Sequence, residues 1–409
     1  MPALLLLIPV LIALAALVWW KFRPTARQHH TKTAQLPSDG QAQQPHPTAS
    51  PQPPTILPAK RPTVHAPGLD RQALPNASAL GKPTSPPSTG TLPPDTPPEL
   101  AAFHWMLERD LSPARHKALM TVIGGIPRPP LSMQKLLEPD FFNRADPAEL
   151  SELLMGEPLI AARVLAIVNS PFYGLPQPVT SIEPAVTLLG MDTVRNVCLQ
   201  YMLAQAFRPE LASAQRSFDA IWQASATASE LCLHLGKALG WPEPGVLATK
   251  VVLAFVGHLA AASLLPSNGV EEWLMLDRLH RAELEQEVIG VAAGEVASLV
   301  LRLWELPTTL VQDVSAISRV LVTPATAVDT AQAPLLALGY LCIGLGEKLA
   351  LGQLASLKAY DLDADLGSDT FHLRSYLSHP ALAQLRAVLA STELHAALHA
   401  MQVPGSIRH

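Results

Sequence analysis

The sequence predicts an all-α fold for residues 99–409, and three kinds of observation support this prediction. Apolar residues recur at helical spacing over most of this region, as in the segment 191–207. Helix ends are marked by capping residues, by prolines at first helical positions and by terminal glycines. Alternating patterns typical of β-strands are few. Together these features predict a helical bundle in two parts, the second beginning at Ser217.

The stretch 146–190 shows these signals most clearly. Asp146 suits a helix N-cap and Pro147 suits the first helical position. Glu149, three residues after the cap, can close a capping box. Gly156 is predicted to end this first helix.

A second helix is predicted to begin at Pro158 and to end at Asn169, because a proline two residues later disfavours helical geometry before it. Turn residues follow, and Ser181 is a candidate cap for a third helix. Gly190 is predicted to end that third helix.

Further helices are predicted from apolar periodicity on both sides of this stretch. In the segment 191–207 the apolar stripe places Arg195 on the outward face. The segment 247–265 is almost wholly apolar, and its few polar residues favour a buried central helix over a second membrane span. The other predicted helices are 98–111, 114–123, 132–137, 217–240, 276–304, 309–321, 334–354 and 381–401.

The N-terminus carries a candidate membrane segment. Residues 3–20 are 18 consecutive uncharged, mostly apolar residues. At a helical rise of about 1.5 Å per residue they span roughly 27 Å, close to the thickness of a bilayer core. Lys21 and Arg23 follow at once, which under the positive-inside rule predicts a single-pass anchor over residues 1–23 with the remaining chain in the cytoplasm. A cleaved signal peptide is the alternative.

Residues 24–98 contain 18 prolines together with Gln, Ser, Thr and Ala. Such a segment cannot bury enough apolar surface to offset the entropy of ordering, so it is predicted to be a disordered Pro-rich linker. A fully extended polyproline chain of this length would reach roughly 230 Å. The expected organisation is therefore an anchor, a linker, a helical domain over residues 99–354 and a helical extension over residues 355–409.

The globular part is acidic, since residues 99–409 hold 21 Lys plus Arg against 31 Asp plus Glu. Binding to nucleic acid needs a concentrated positive face, so this balance argues against a nucleic-acid partner. Cys198, Cys232 and Cys342 are scattered within apolar helical patterns and form no CxxC pair. They are typical of small buried side chains in a reducing compartment.

Several short motifs occur in a defined order between residues 115 and 320. They are Ile126-Pro127, Pro158-Leu159, Val168-Asn169-Ser170, Tyr173, Ser181-Ile182 and Leu189-Gly190. In this order they resemble the HDOD family, bacterial signal-output domains related to the HD-type metal phosphohydrolases. The resemblance implies a two-part helical bundle that acts in signal transduction through contacts with protein partners. It also implies that the anchor lies in the inner (cytoplasmic) membrane of a bacterial cell.

HD-type phosphohydrolases hold a divalent cation with His and Asp ligands, because the cation lowers the pKa of a bound water and binds the phosphate. Compared with that pattern, Ala224 and Ala293 stand where histidines are expected, and Leu259 stands in place of the Asp after His258. One histidine cannot hold a hydrolytic metal, so His258 is interpreted as a satisfied core residue. The chain is therefore expected not to be an enzyme and to carry no cofactor.

Asn169, Ser170 and Tyr173 are the motif residues that could form a recognition surface for a protein or for a small-molecule ligand. An Asn at a helix end also caps carbonyl groups and tolerates turn geometry, which is a structural role. The sequence leaves both roles open.

Two other functions also remain open. The first is a metal-dependent phosphohydrolase acting on a nucleotide or a cyclic dinucleotide. The second is a sensor in which the apolar cleft between the two bundles holds a nucleotide messenger without hydrolysing it. Stoichiometric metal would favour the first, and selective thermal stabilisation by one nucleotide would favour the second.

Overall fold

The computed structural model describes Pro93 and residues 95–129, 134–137, 141, 146–170, 173–209 and 212–402. In these residues the secondary structure consists of α-helices and short 3-10 helices, and no β-strand occurs. The predicted all-α fold is therefore confirmed for this part of the chain. The predicted anchor over residues 1–23, and nearly all of the predicted linker over residues 24–98, lie outside the described residues.

Within the described residues, the first part of the fold consists of six α-helices. Four of them begin with proline, which suits the first turn because its missing N–H would have no partner there. Their bounds are α1 Pro98–Ala102, α2 Pro113–Ile123, α3 Pro147–Met155, α4 Pro158–Val168, α5 Ile182–Leu189 and α6 Met191–Ala206.

The capping residues of this part act largely as the sequence predicts. The Asp146 carboxylate accepts the N–H of Glu149 at 2.8 Å and so caps α3. Gly190 ends α5 with a φ of 81°, which lies in the left-handed region that glycine adopts without strain. Ser181 does precede α5, but its hydroxyl makes no capping hydrogen bond, so that prediction is wrong in detail.

The second part of the fold contains the longest helices. Helix α7 packs against α8 and α13, and α8 also packs against α11. The hydrophobic core of this part lies between these four helices. The bounds are α7 Ala212–Ala238, α8 Pro244–Leu264, α9 Val270–Met275, α10 Arg278–Val288, α11 Ala293–Leu303, α12 Thr308–Arg319 and α13 Ala333–Ala350.

Helix α8 is the predicted central helix, and most of its side chains are buried. Both α8 and α13 are long and apolar enough to cross a membrane, yet 83% of the most apolar stretch of α8 and 78% of that of α13 are buried by the rest of the chain. A helix that is surrounded by others is apolar on all faces, as α8 is. Both are core helices of this domain.

The predicted long helix over residues 276–304 is wrong, because the chain breaks into α10 and α11. Gly290 adopts a φ of 109°, which no helix contains. After this turn, the Glu285 carboxylate accepts the N–H of Ala293 at 2.6 Å and caps α11. The apolar periodicity continues across the break, and for this reason the sequence predicts one helix.

The helix predicted over residues 98–111 ends early, at Ala102. Beyond it the chain is extended and is held by the side chain of Gln286 on α10. That side chain accepts the N–H of Met106 at 2.8 Å and donates to the carbonyl oxygen of His104 at 2.9 Å. These tertiary hydrogen bonds take the place of intrahelical ones.

Arg195 is buried, so the outward orientation predicted for it is wrong. Its side chain is 2% exposed, and its Nη1 lies 3.5 Å from Oδ1 of Asp192. Burial lowers the pKa of Arg195 to about 10, although the charge of Asp192 opposes this shift. Helix α6 packs against both α7 and α8, and this gives it a wider buried face than its apolar stripe indicates.

The C-terminal extension, predicted over residues 355–409, packs on the second part of the fold. It contains short helices whose apolar side chains are buried. Tyr340 of α13 donates a hydrogen bond from its hydroxyl to the carbonyl oxygen of Asp369 at 2.6 Å, and Lys348 pairs with Asp365 at 2.7 Å. The helices are α14 Leu373–Tyr376, α15 Leu385–Leu389 and α16 Thr392–Gln402.

Candidate functional site

The four residues that the resemblance places at metal-ligand positions lie on three packed helices of the second part. Ala224 is on α7, His258 and Leu259 are on α8, and Ala293 begins α11. Leu259 and both alanines are buried in the hydrophobic core. His258 is therefore the member of this set with a side chain able to make polar contacts.

His258 faces a carboxylate of α13. Its Nε2 lies 3.2 Å from Oε1 of Glu347, and its Nδ1 lies 3.4 Å from the carbonyl oxygen of Ala254, one turn earlier on α8. Both ring nitrogens thus have partners inside the protein. These contacts agree with the interpretation of His258 as a satisfied core residue.

Glu347 is the centre of a buried ion cluster. Arg281 of α10 donates from Nη2 to Oε2 of Glu347 at 2.6 Å, and Nε of Arg278 lies 3.8 Å from the same oxygen. Burial would raise the pKa of Glu347, but Arg281 and His258 together hold it well below its usual range. The carboxylate is therefore ionised, and guanidinium groups neutralise it.

Arg278 is held from several sides. Its Nη1 donates to the carbonyl oxygen of Tyr340 at 2.9 Å, and its guanidinium carbon lies 3.8 Å from the centre of the Tyr340 ring. Its Nε is 3.9 Å from Oδ2 of Asp369. Gly344 leaves room for this side chain, because a Cβ at position 344 would lie 1.6 Å from Nη2 of Arg278. The glycine and the arginine therefore depend on each other.

A second buried carboxylate, that of Glu285, has partners of another kind. Its Oε1 accepts the indole N–H of Trp273 at 2.9 Å, and its Oε2 accepts the backbone N–H of Ala293 at 2.6 Å. Burial raises the pKa of Glu285, and these hydrogen bonds only partly offset the shift. A carboxyl group at the N-terminus of α11 also complements the helix dipole.

Helices approach closely at both alanine positions. A Cβ at Gly257 would lie 2.0 Å from the carbonyl oxygen of Ala293, and a Cβ at Gly346 would lie 2.6 Å from that of Ala224. The cavity that remains beside His258 has a volume of about 50 Å³. Sites for small molecules commonly have volumes of about 300–1,000 Å³. The close packing thus leaves little space at this position.

These residues do not fit a hydrolytic metal centre. Such a centre needs several His, Asp or Glu side chains whose lone pairs converge on one point. Across the described part of the chain, no group of three or more His, Cys, Asp or Glu side chains could hold a metal ion. Oxygens of Glu347 and Glu285 instead accept hydrogen bonds from N–H groups, and the guanidinium groups of Arg278 and Arg281 would repel a cation.

Asn169, the first residue of the predicted recognition surface, ties two segments together at the end of α4. Its Nδ2 donates to the carbonyl oxygens of Leu165 at 2.9 Å and Val179 at 2.7 Å, and its Oδ1 accepts the N–H of Val179 at 2.7 Å. The amide therefore closes the loop between α4 and α5. This is the structural role that the sequence left open beside recognition.

Ser170 and Tyr173 continue the same turn, so the structure brings the three predicted residues together. The carbonyl oxygen of Ser170 accepts the N–H of Tyr173 at 3.1 Å. Tyr173 is half-buried, and burial together with the nearby charge of Glu230 on α7 raises the pKa of its hydroxyl. The turn thus connects the first part of the fold with α7.

No local pattern in the sequence predicts the roles of Glu347, Glu285, Arg278 or Arg281. One signal was available, because α13 is apolar over 14 residues before it reaches Glu347. An acidic group on a buried helix needs a partner in the interior. That partner, Arg281, lies 66 residues earlier in the chain, a distance that local patterns do not bridge.

The described residues form an all-helical domain whose second part contains a buried ion cluster. Residues 126–320 match the family model described as HDOD domain. This part of the chain is therefore an HDOD domain, and the resemblance stated from residues 115–320 is confirmed.

Several solved structures are similar to the chain. An HDOD domain protein of unknown function from Geobacter sulfurreducens has 19% identity and a TM-score of 0.46, covering 70% of this chain and 97% of that one. A protein from Shewanella amazonensis SB2B, provisionally named a phosphohydrolase, has 22% identity and a TM-score of 0.45 with the same coverage. The MmoQ response regulator from Methylococcus capsulatus Bath has 19% identity and a TM-score of 0.32, and the match covers 65% of this chain and 98% of that one. A comparison with curated proteins finds no match.

Proposed function

We propose that this chain is a non-catalytic regulatory protein of the HDOD type. It acts in bacterial signal transduction through contacts with a protein partner, and its N-terminal segment holds it at the cytoplasmic membrane. The observation that carries the proposal is the buried ion cluster of Glu347 with Arg278 and Arg281. In this cluster the positive charges of two arginines neutralise the carboxylate that could otherwise bind a cation.

The chemistry of hydrolysis supports the non-catalytic part of the proposal. A metal ion contributes by binding a water molecule and lowering its pKa to near 7. A guanidinium group neutralises a carboxylate but offers only N–H donors, so it cannot bind and deprotonate a water in this way. Removing one partner of a buried ion pair costs about 3–5 kcal/mol. The arginines are therefore costly to displace in favour of a metal.

Exposed apolar side chains support action through a protein contact. Met155 at the end of α3, Leu159 at the start of α4 and Leu188 at the end of α5 are 66%, 66% and 51% exposed. Because Asn169 ties the end of α4 to Val179 just before α5, α5 runs back along α4. Leu188 thus lies at the same end of the bundle as Leu159, and clustered apolar groups of this kind are typical of protein contact surfaces.

The membrane part of the proposal rests on the sequence. Residues 3–20 are long enough and apolar enough to span a bilayer, and the basic residues that follow favour a cytoplasmic position for the rest of the chain. The Pro-rich residues 24–98 would then keep the helical domain near the membrane while leaving it a reach of up to roughly 230 Å.

Metal analysis of the purified full-length protein tests the non-catalytic role. We expect iron, manganese and zinc well below one equivalent, and hydrolysis of nucleotide phosphodiesters no faster than in a His258→Ala variant. A full equivalent of metal in the wild type that is lost in His258→Ala would show that the proposal is wrong and would favour a phosphohydrolase.

Site-specific photocrosslinking in cells tests the protein contact. A photoreactive residue at Leu159 is expected to give a discrete adduct with a second protein. Leu366 is a matched control, because it is 64% exposed and lies on the C-terminal extension. Absence of an adduct at Leu159, or the same adduct from both positions, would contradict the proposed surface.

Cell fractionation tests the membrane anchor. The full chain is expected to sediment with the membrane, and a variant without residues 1–23 is expected in the soluble fraction. A reporter fused after His409 is expected to be active in its cytoplasmic form. Activity of a reporter that requires export would reverse the proposed orientation.

A further inference from the structure

A pocket of about 460 Å³ lies between α11, α12 and the residues that follow α12, and we name it the α11–α12 pocket. Of the described residues that line it, none also lines the cavity beside His258. Its lining includes Tyr376 of the C-terminal extension, whose hydroxyl donates to the carbonyl oxygen of Thr323 at 2.9 Å. The volume falls within the range of about 300–1,000 Å³ that small-molecule sites have.

Glu295, in the first turn of α11, is the acidic group of this pocket. The residue is 7% exposed. Its Oε1 accepts the N–H of Glu108 at 3.2 Å, and its Oε2 accepts from Nη2 of Arg319 at 3.4 Å. Contacts between an ionised carboxylate and a cationic N–H group are usually about 2.7–2.9 Å, so Arg319 is held loosely. Each oxygen has a further lone pair, and together they can accept two neighbouring N–H donors.

Arg302 supplies positive charge at the other end of the pocket. It follows Glu295 by seven residues on α11, which corresponds to a rise of about 10 Å. Its side chain is 51% exposed, and its Nη2 contacts Oε2 of Glu108. A guanidinium group has five N–H donors in a planar fork that matches phosphate, so this contact leaves others available to an anion.

The pocket between these two ends has hydroxyl-bearing and apolar walls. The hydroxyl-bearing residues of the lining are Thr308, Thr323, Tyr376 and the buried Ser298 and Ser315. The apolar groups include Val311, Ala316 and Val328. An apolar wall suits the face of a planar ring, and hydroxyl groups suit the hydroxyls of a sugar.

We propose that the α11–α12 pocket binds a guanine nucleotide, with the base at Glu295 and the phosphate at Arg302. Guanine presents adjacent N1–H and N2–H donors, which a carboxylate can accept together, whereas adenine has an acceptor at the corresponding ring nitrogen. Glu295 and Arg302 both line the pocket, two turns apart on α11, so that one extended ligand can reach both side chains. The binding requires no hydrolysis and does not depend on the proposed protein contact.

Calorimetric titration of the full-length protein with GMP, AMP, guanosine and inorganic phosphate tests this inference. GMP is expected to bind, and each of the other three probes is expected to bind at least tenfold more weakly. Glu295→Gln and Arg302→Gln are each expected to weaken GMP binding at least tenfold. Arg386→Gln is the matched control, since Arg386 forms an exposed ion pair with Asp363 and lies outside the pocket.

The variants are first compared with the wild type by circular dichroism and thermal unfolding. Glu295→Gln keeps an oxygen acceptor for the N–H of Glu108, and Arg302→Lys provides a second variant that keeps the positive charge. No binding of GMP at millimolar concentration, or equal binding by AMP, would overturn the inference, as would unchanged binding in both Gln variants. Hydrolysis of bound GMP would leave this site in place and would instead contradict the non-catalytic role.

Discussion

Two buried glutamates and one partly buried glutamate show how the partners of a single residue affect its charge. Glu347 lies between arginines and is ionised, while Glu285 accepts hydrogen bonds from Trp273 and from a backbone N–H. Burial raises the pKa of Glu230 to about 7, an effect that the charge of Asp192 increases and that of Lys237 opposes. The pKa of a glutamate in this domain therefore depends on the partners of its carboxylate.

Replacing Glu347 by Gln is expected to destabilise the protein by about 3–5 kcal/mol, because Arg281 would keep its charge in the interior without a counter-charge. Urea unfolding at pH 7 measures this loss. Asp363→Asn is the control, since its ion pair with Arg386 lies on the surface and is expected to change the midpoint little. Equal midpoints for Glu347→Gln and wild type would show that the cluster contributes no stability.

The pH dependence of the Glu347 contribution has a definite sign. Its pKa in the folded state is below the ordinary value of 4.5. The contribution is therefore complete above about pH 4.5 and decreases as the pH falls toward the folded-state pKa. The difference in stability between wild type and Glu347→Gln, followed from pH 7 to pH 3, is expected to shrink only below about pH 4.5.

Glu230 is expected to have the opposite effect on stability. In the unfolded chain it ionises near 4.5, and in the folded protein near 7, so the folded state binds its proton more tightly. Stability is then lost as the pH rises from about 4.5 to about 7, by about 3 kcal/mol for this group. Glu230→Gln is expected to remove that part of the slope in unfolding measurements between pH 5 and pH 8. Glu152→Gln, on the exposed side of α3, is the control and is expected to keep the wild-type slope.

At the scale of helices, the glycines of α13 determine how closely its neighbours approach. A Cβ at Gly346 would lie 2.6 Å from the carbonyl oxygen of Ala224 and 2.9 Å from the backbone nitrogen of Ala228. At Gly344 the nearest group is the guanidinium of Arg278, a flexible side chain. Gly346 therefore sets the distance between the backbones of α13 and α7, and Gly344 makes room for the side chain of Arg278.

Gly346→Ala is expected to destabilise the protein, although alanine is intrinsically better than glycine in a helix by about 1 kcal/mol. Overpacking of a core costs about 1–3 kcal/mol, and here the clash involves backbone atoms of α7 that cannot move aside easily. Thermal unfolding is expected to show a lower midpoint for Gly346→Ala. In contrast, Leu335→Ala at the exposed start of α13 is expected to have a small effect. A raised midpoint for Gly346→Ala would mean that α7 and α13 can separate without cost.

At the scale of the whole molecule, the C-terminal extension completes the second part of the fold. Its short helices bury leucines and Tyr376 against α7, α13 and the residues after α12. Burying one such side chain contributes about 1.5–3 kcal/mol relative to exposure. The extension also supplies Asp369 beside Arg278 and a wall of the α11–α12 pocket. It is thus an integral part of this domain.

Truncation after Leu354 is expected to give a protein that aggregates or unfolds well below the wild-type midpoint, because the surfaces of α7 and α13 would be exposed. Solubility after expression and thermal unfolding measure this. Tyr376→Phe removes only the hydrogen bond to Thr323 and is expected to cost about 1 kcal/mol. A truncated protein as stable as the wild type would show that the extension contributes nothing to the fold.

Much of the local structure was predictable because it depends on neighbours in the sequence. The cap at Asp146, the end of α5 at Gly190 and the almost wholly apolar composition of α8 are set by residues within one or two turns or by the segment itself. The break at Gly290 and the early end of α1 were not predicted. After α1 the distant side chain of Gln286 binds the backbone outside helical geometry, and at position 290 the glycine itself adopts a positive φ.

The fold class and the positions of most helices could be predicted from the sequence alone, because both follow from apolar periodicity and from capping residues. The structure was needed to show the ion pair of Glu347 with Arg281, because the two residues are far apart in the chain and meet only in the folded domain. It also decided that Asn169 closes a loop and that α12 and the extension enclose a pocket. Such contacts follow from helix packing, which periodicity along a single helix does not specify.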